Sequence, residues 1–92
     1  MERLTTMEMA HQHPSGALGI LDVERLGTWV RFAAVIDEVE TAHGPQPVVV
    51  QLDAKDDDGK VVPIGKDEHA TIVMRFLQTY YRWRRTGGHG ST

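Results

Sequence analysis

Four arginines and four aromatics fall within the eleven residues of Arg75–Arg85, RFLQTYYRWRR. Guanidinium groups fork onto phosphate and carboxylate oxygens, and aromatic faces stack on bases. The set Arg75, Arg82, Arg84 and Arg85 is therefore a candidate anion- or nucleic-acid-binding group. Phe76, Tyr80, Tyr81 and Trp83 are candidate anchors of a protein interface, where aromatics and arginine dominate the energetics. The angular arrangement weighs between the two. At 100° per residue, Ile72, Val73, Met74, Phe76, Leu77, Tyr80, Tyr81 and Trp83 lie within about 200° of a helix, and Arg75, Gln78, Thr79, Arg82 and Arg85 fill the rest. Rings and cations thus part company, whereas a nucleic-acid grip interleaves them. The pattern predicts a helix buried on its aromatic side with a basic back. Arg84 alone sits inside the apolar arc, so it must snorkel outward or meet an acid.

The remaining chemistry-bearing groups are sparse. Met7, Met9, His11 and His13 mix thioether and imidazole, a combination suited to copper, but nothing nearby completes a site. Asp56-Asp57-Asp58-Gly59 invites a calcium-loop reading. With Gly59 at the sixth position, Ala54 and Gly65 occupy the first and twelfth, where oxygen ligands are required. A solvated turn is the better reading, and no metal or other cofactor is expected. Asp37, Glu38 and Glu40 could hold an acid–base pair, yet no nucleophile elbow, P-loop, dinucleotide fingerprint or zinc-protease motif accompanies them. No catalytic residue is assigned. The expectation is not an enzyme, at most a non-catalytic subunit of a larger assembly, with no small-molecule substrate.

The whole-chain balance agrees with that. Ninety-two residues, 40% apolar and 25% charged, suit one small soluble domain. The absence of cysteine excludes disulfides, thiolate metal sites and a thiol nucleophile. The longest apolar run is Phe32–Ile36, far short of the roughly 20 residues of a membrane span. No membrane association and a cytoplasmic location are the expectations. Residues 1–74 hold six basic and thirteen acidic side chains, whereas 75–92 hold four arginines and no acid. Such polarity suits an anionic partner for the basic end, or mutual attraction of the two ends.

The elements that must position these groups follow from pattern. Residues 1–16 read as a loose N-terminal lead, 17–86 as a single domain and 87–92 as a flexible Gly-rich tail. Residues 28–41, TWVRFAAVIDEVET, satisfy both a period of 2 and a period of 3.6. Their β-branched and aromatic content favours a strand. Ala42-His43-Gly44-Pro45-Gln46-Pro47 is a turn cluster, followed by the strand Val48–Leu52, and Asp58-Gly59 predicts a hairpin. Val61-Val62-Pro63-Ile64 would be the returning strand, at an edge or a bulge because Pro63 has no N–H. Asp67 is a candidate N-cap for a helix to Arg85.

The predicted fold is α+β: a small three-stranded antiparallel meander, about 28–41, 47–54 and 60–64, with a C-terminal α-helix over 68–85 packed on one face. The alternative is helix–β-hairpin–helix, with residues 20–42 helical. The expected function is a small non-enzymatic interaction protein. It would be an accessory subunit or structural module acting through protein–protein contacts of its aromatic and basic C-terminal helix, with a protein partner or as a homo-oligomer. The alternative is a nucleic-acid-binding accessory factor using the arginine cluster.

Overall fold

A computed structural model of the chain describes residues 2, 3, 5–9 and 16–86. Four strands, β1 (Thr6–Met9), β2 (Ala17–Arg25), β3 (Thr28–Thr41) and β4 (Gly44–Asp56), precede one helix, α1 (Lys66–Arg85). The strands form one antiparallel sheet in the order β1-β2-β3-β4. The α+β meander with a C-terminal helix is as the sequence predicts, but the sheet has four strands rather than three. Residues 20–42, helical in the alternative reading, form parts of β2 and β3 and the turns that follow each of them.

The returning strand expected at 60–64 is not part of it. Val61 makes an isolated bridge with Lys55, and the Val62 N–H donates to the Ala54 carbonyl at 2.9 Å. Pro63 then offers no donor with which to continue the ladder. Val62 and Ile64 instead pack against the core on their way to the helix. Thr6–Met9, placed by sequence in the lead, pairs with Ala17–Ile20. His11, His13 and the 87–92 tail lie outside the described residues.

The β2–β3 hairpin turns through Leu26 and Gly27, both at positive φ (49° and 83°). Such a two-residue loop matches the right-handed strand twist, and it is normally built from Asn and Gly. A leucine in the left-handed region costs about 1 kcal/mol or more, from Cβ crowding the following carbonyl. Leu26 is fully exposed and packs on nothing that would offset this. Leu26→Asn is therefore expected to raise the unfolding free energy by about 1 kcal/mol in a urea titration, with no change of fold.

One face of the sheet carries the core. β2 contributes Ala17, Gly19 and Leu21, β3 contributes Val30, Phe32, Ala34 and Ile36, and β4 contributes Ala54. α1 lays Ile72, Phe76 and Tyr80 across them, a four-residue spacing that keeps all three on one helical stripe. Gly19 and Ala34 are register partners. Together they leave a shallow trough for the Phe76 ring. A Cβ at Gly19 would lie 2.7 Å from Phe76 Cδ1, so the helix approaches the sheet only because that side chain is absent.

The helix begins at Lys66 with extended Gly65 as its N-cap and no side-chain cap. Asp67, expected to cap, lies instead in the first turn beside Glu68, where both carboxylates still face the positive end of the helix dipole. Glu68 pairs with Arg25, whose guanidinium also lies over the Phe32 ring at 5.4 Å. That contact ties the start of α1 to the end of β2.

Candidate functional site

Two surfaces carry the groups singled out by sequence: the outer side of α1 and the sheet face opposite it. On the helix, Phe76 and Tyr80 belong to the core, 0% and 2% exposed, and present no surface to a partner. Trp83 is half-buried, its ring centroid 5.7 Å from that of Tyr80. Tyr81 is 50% exposed. Of the four aromatics proposed as anchors, Tyr81 is thus the available one and Trp83 lies at its margin. Sequence periodicity gave the apolar arc correctly but could not say how much of it one sheet would cover.

The arginines part in the same way. Arg84, the cation inside the apolar arc, reaches an acid: its Nε lies 3.9 Å from Glu38 Oε2. The same carboxylate oxygen accepts the Tyr80 hydroxyl at 2.8 Å. Burial, with the Glu38 hydrogen bond and charge, pushes the Tyr80 phenol up from 10.0 to about 12. A raised folded-state value means the protonated phenol is the stabilised form. Its contribution is fully present below pH 10 and is lost as pH rises from about 10 to about 12. In a Tyr81→Phe variant, which leaves Tyr80 as the one tyrosine, ultraviolet titration is expected to show a midpoint near 12, and Glu38→Gln is expected to lower it. Arg75 pairs with Glu2. Among the described residues Arg82 and Arg85 form no ion pair, so the cluster is divided rather than continuous.

Asp56 is explained without a metal. Its carboxylate accepts the N–H groups of Asp58 (2.9 Å) and Lys60 (3.0 Å), and its carbonyl accepts that of Gly59 (3.0 Å). These are the local bonds of an Asx turn. No group of three or more His, Asp or Glu side chains is arranged to hold a metal ion among the described residues. No helix among them is long and apolar enough to cross a membrane.

The opposite sheet face is the feature that sequence reading missed. Alternation along a strand sends Leu18 and Ile20 of β2, and Ala33 and Val35 of β3, away from the helix. Register places Leu18 opposite Val35, Ile20 opposite Ala33 and Asp22 opposite Arg31. Next in the row, β4 sets Gln51 beside Val35, Asp53 beside Ala33 and Lys55 beside Arg31. The apolar centre is thus bordered by a charged band. Arg31 forks onto Asp22 through Nε (2.8 Å) and Nη2 (3.1 Å), which holds the Asp22 carboxyl below its ordinary range. Arg3 lies 4.4 Å over the Trp29 ring and 3.9 Å from Asp22. A cleft of about 390 Å³ opens among these groups and Lys55. The signal in the sequence was that Phe32–Ile36 is apolar at every position and that Ala17–Leu21 carries no polar side chain. Strands covered on both faces read that way, and half-solvated strands alternate.

Comparison of the chain with family models, curated proteins and solved structures finds no match.

Proposed function

We propose that this chain is a small non-enzymatic interaction protein, an accessory subunit or structural module acting through protein–protein contacts, and that a second copy covers its open sheet face. The observation that carries this is the pairing of Leu18 with Val35 and Ile20 with Ala33 on a face that no described element covers. Contiguous apolar surface of this kind, rimmed by charge, marks an interface.

The register favours a second copy in particular. A two-fold axis parallel to the strands, midway between β2 and β3, sets each β2 residue against its own register partner in the other copy. Leu18 then meets Val35, Ile20 meets Ala33, and Asp22 meets Arg31, so apolar falls on apolar and acid on base. Such self-complementarity is what an isologous interface requires. Face-to-face sheets pack about 10 Å apart at about −30°, which keeps the central pairs in contact. On the far side of the molecule, Tyr81 with Trp83 beside it remains as a second contact surface. Glu38, central in the acidic run, serves Tyr80 and Arg84 as a structural acceptor, which supports the non-enzymatic reading.

Light scattering across micromolar to millimolar concentration tests the proposal. The expected mass is twice the 10.3 kDa of one chain. A mass of one chain at every concentration would overturn self-association. Association with nucleic acid that high salt removes would favour the arginine reading instead.

A further inference from the structure

Along α1, Arg75, Gln78, Thr79 and Arg82 occupy positions i, i+3, i+4 and i+7. That is the spacing by which a helix usually presents an apolar stripe to its neighbour. Here the stripe is wholly polar, and it faces the segment leading into β1. Thr6 pairs with Ile20 and so belongs to the open face, and alternation turns Thr5 and Met7 toward the helix. Thr5 joins the four helix residues in lining a pocket of about 250 Å³. Its Oγ1 is buried and has no hydrogen-bond partner among the described residues. A buried hydroxyl left unpaired costs about 1–3 kcal/mol, so such groups are retained where something else satisfies them. Two guanidinium groups, an amide and two hydroxyls converge on this pocket, and no carboxylate lines it among the described residues. Glu2 pairs with Arg75.

From this convergence we infer that the pocket binds a tetrahedral oxyanion, specifically the terminal phosphate of a small phosphorylated molecule or free phosphate. Arg75 and Arg82 supply two cations for a dianion. Thr79 and Gln78 supply neutral donors, and rotation about χ1 brings the Thr5 hydroxyl, buried in the free protein, out to the anion as a third. The pocket volume accommodates one phosphoryl group with its bound water. The adjoining hollow, lined by Gln78, Tyr81, Arg82 and Arg85, shares two residues with the pocket and takes whatever the phosphate is attached to. A nucleic-acid backbone fits less well. It needs a track of cations, whereas Arg84 is turned to Glu38 and, among the described residues, Arg85 is the one further helix arginine without an ion pair. Glu2 acts as an internal competitor, since its carboxylate must release Arg75 for both guanidinium groups to face the anion.

The test is a titration of the full chain, by ¹⁵N-detected NMR, with inorganic phosphate, glycerol phosphate and a single-stranded oligonucleotide lacking terminal phosphates. Sodium chloride of matched ionic strength is the control. Phosphate and glycerol phosphate are expected to shift the Thr5 amide and the Arg75 and Arg82 side-chain signals, with glycerol phosphate the source if it binds more tightly. Arg82→Gln and Thr5→Val are each expected to weaken binding at least tenfold, and Glu2→Gln to tighten it several-fold. Thr5→Val also separates binding from folding. Removing an unpaired buried hydroxyl should leave the free protein as stable or more stable while the anion is lost. Shifts reproduced by chloride, affinity unchanged in Arg82→Gln and Thr5→Val, or binding of the oligonucleotide alone would each overturn the inference. The pocket lies on the helix side of the sheet, so its failure would leave the proposed dimer untouched.

Discussion

Phe76→Ala is expected to lower the unfolding free energy by about 4 kcal/mol, and Tyr81→Ala by less than about 1 kcal/mol, in parallel urea titrations. The two positions are five residues apart on one helix and both carry aromatic rings, so sequence ranks them equally. Structure does not. Phe76 is fully buried in the trough over Gly19, while Tyr81 is half in water with one 3.4 Å hydrogen bond to Gln46. Truncating Phe76 removes its transfer free energy and opens a cavity that the sheet backbone beneath cannot fill. A small domain has a narrow margin, a few kcal/mol above unfolding, and Phe76→Ala should take most of it. Equal effects at the two positions would mean that the helix is rotated about its axis from the packing described.

Val35→Lys is expected to weaken self-association at least a hundredfold and to leave the monomer folded, with circular dichroism unchanged. The side chain leaves β3 on the face away from α1, beside Leu18, so within one chain lysine extends into water with little loss. In the two-fold arrangement the same ammonium would sit against Leu18 of the second copy. Burying an unpaired charge there costs several kcal/mol. Tyr81→Lys, on the opposite side of the molecule, is the matched control and should leave the dimer intact. Dissociation by Tyr81→Lys and not by Val35→Lys would move the interface to the helix.

Legibility divided along physical lines. α1 stood out because it is long and periodically apolar, whereas β3 fitted both periods and was read as a strand from its β-branched and aromatic content. Their observed spans, Thr28–Thr41 and Lys66–Arg85, match the sequence reading at all but the first two residues of the helix. β2 did not stand out. Gly19 interrupts its pattern, and its hairpin turns on Leu26-Gly27 in place of an Asn-Gly or Asp-Gly signal. The reason for Gly19 is the Phe76 ring, a contact 57 positions away that no local window contains. Val61–Ile64 misled in the opposite sense: it has strand composition, but Pro63 removes the donor that would extend the ladder. Arg84 was legible in outcome but not in partner, because Glu38 reaches it across the tertiary fold. The polar stripe opposite Thr5 was present in the sequence at helical spacing. Its meaning depended on which segment the helix flank faces.

The open face is tested most directly by isotope-filtered NOE spectroscopy on a mixture of labelled and unlabelled chains, which reports contacts between copies alone. The two-fold sheet packing requires cross-peaks from the Leu18 methyls of one copy to the Val35 methyls of the other, and from Ile20 to Ala33. Intermolecular cross-peaks confined to Tyr81, Met74 and Trp83, or none at concentrations where the protein is dimeric, would contradict it.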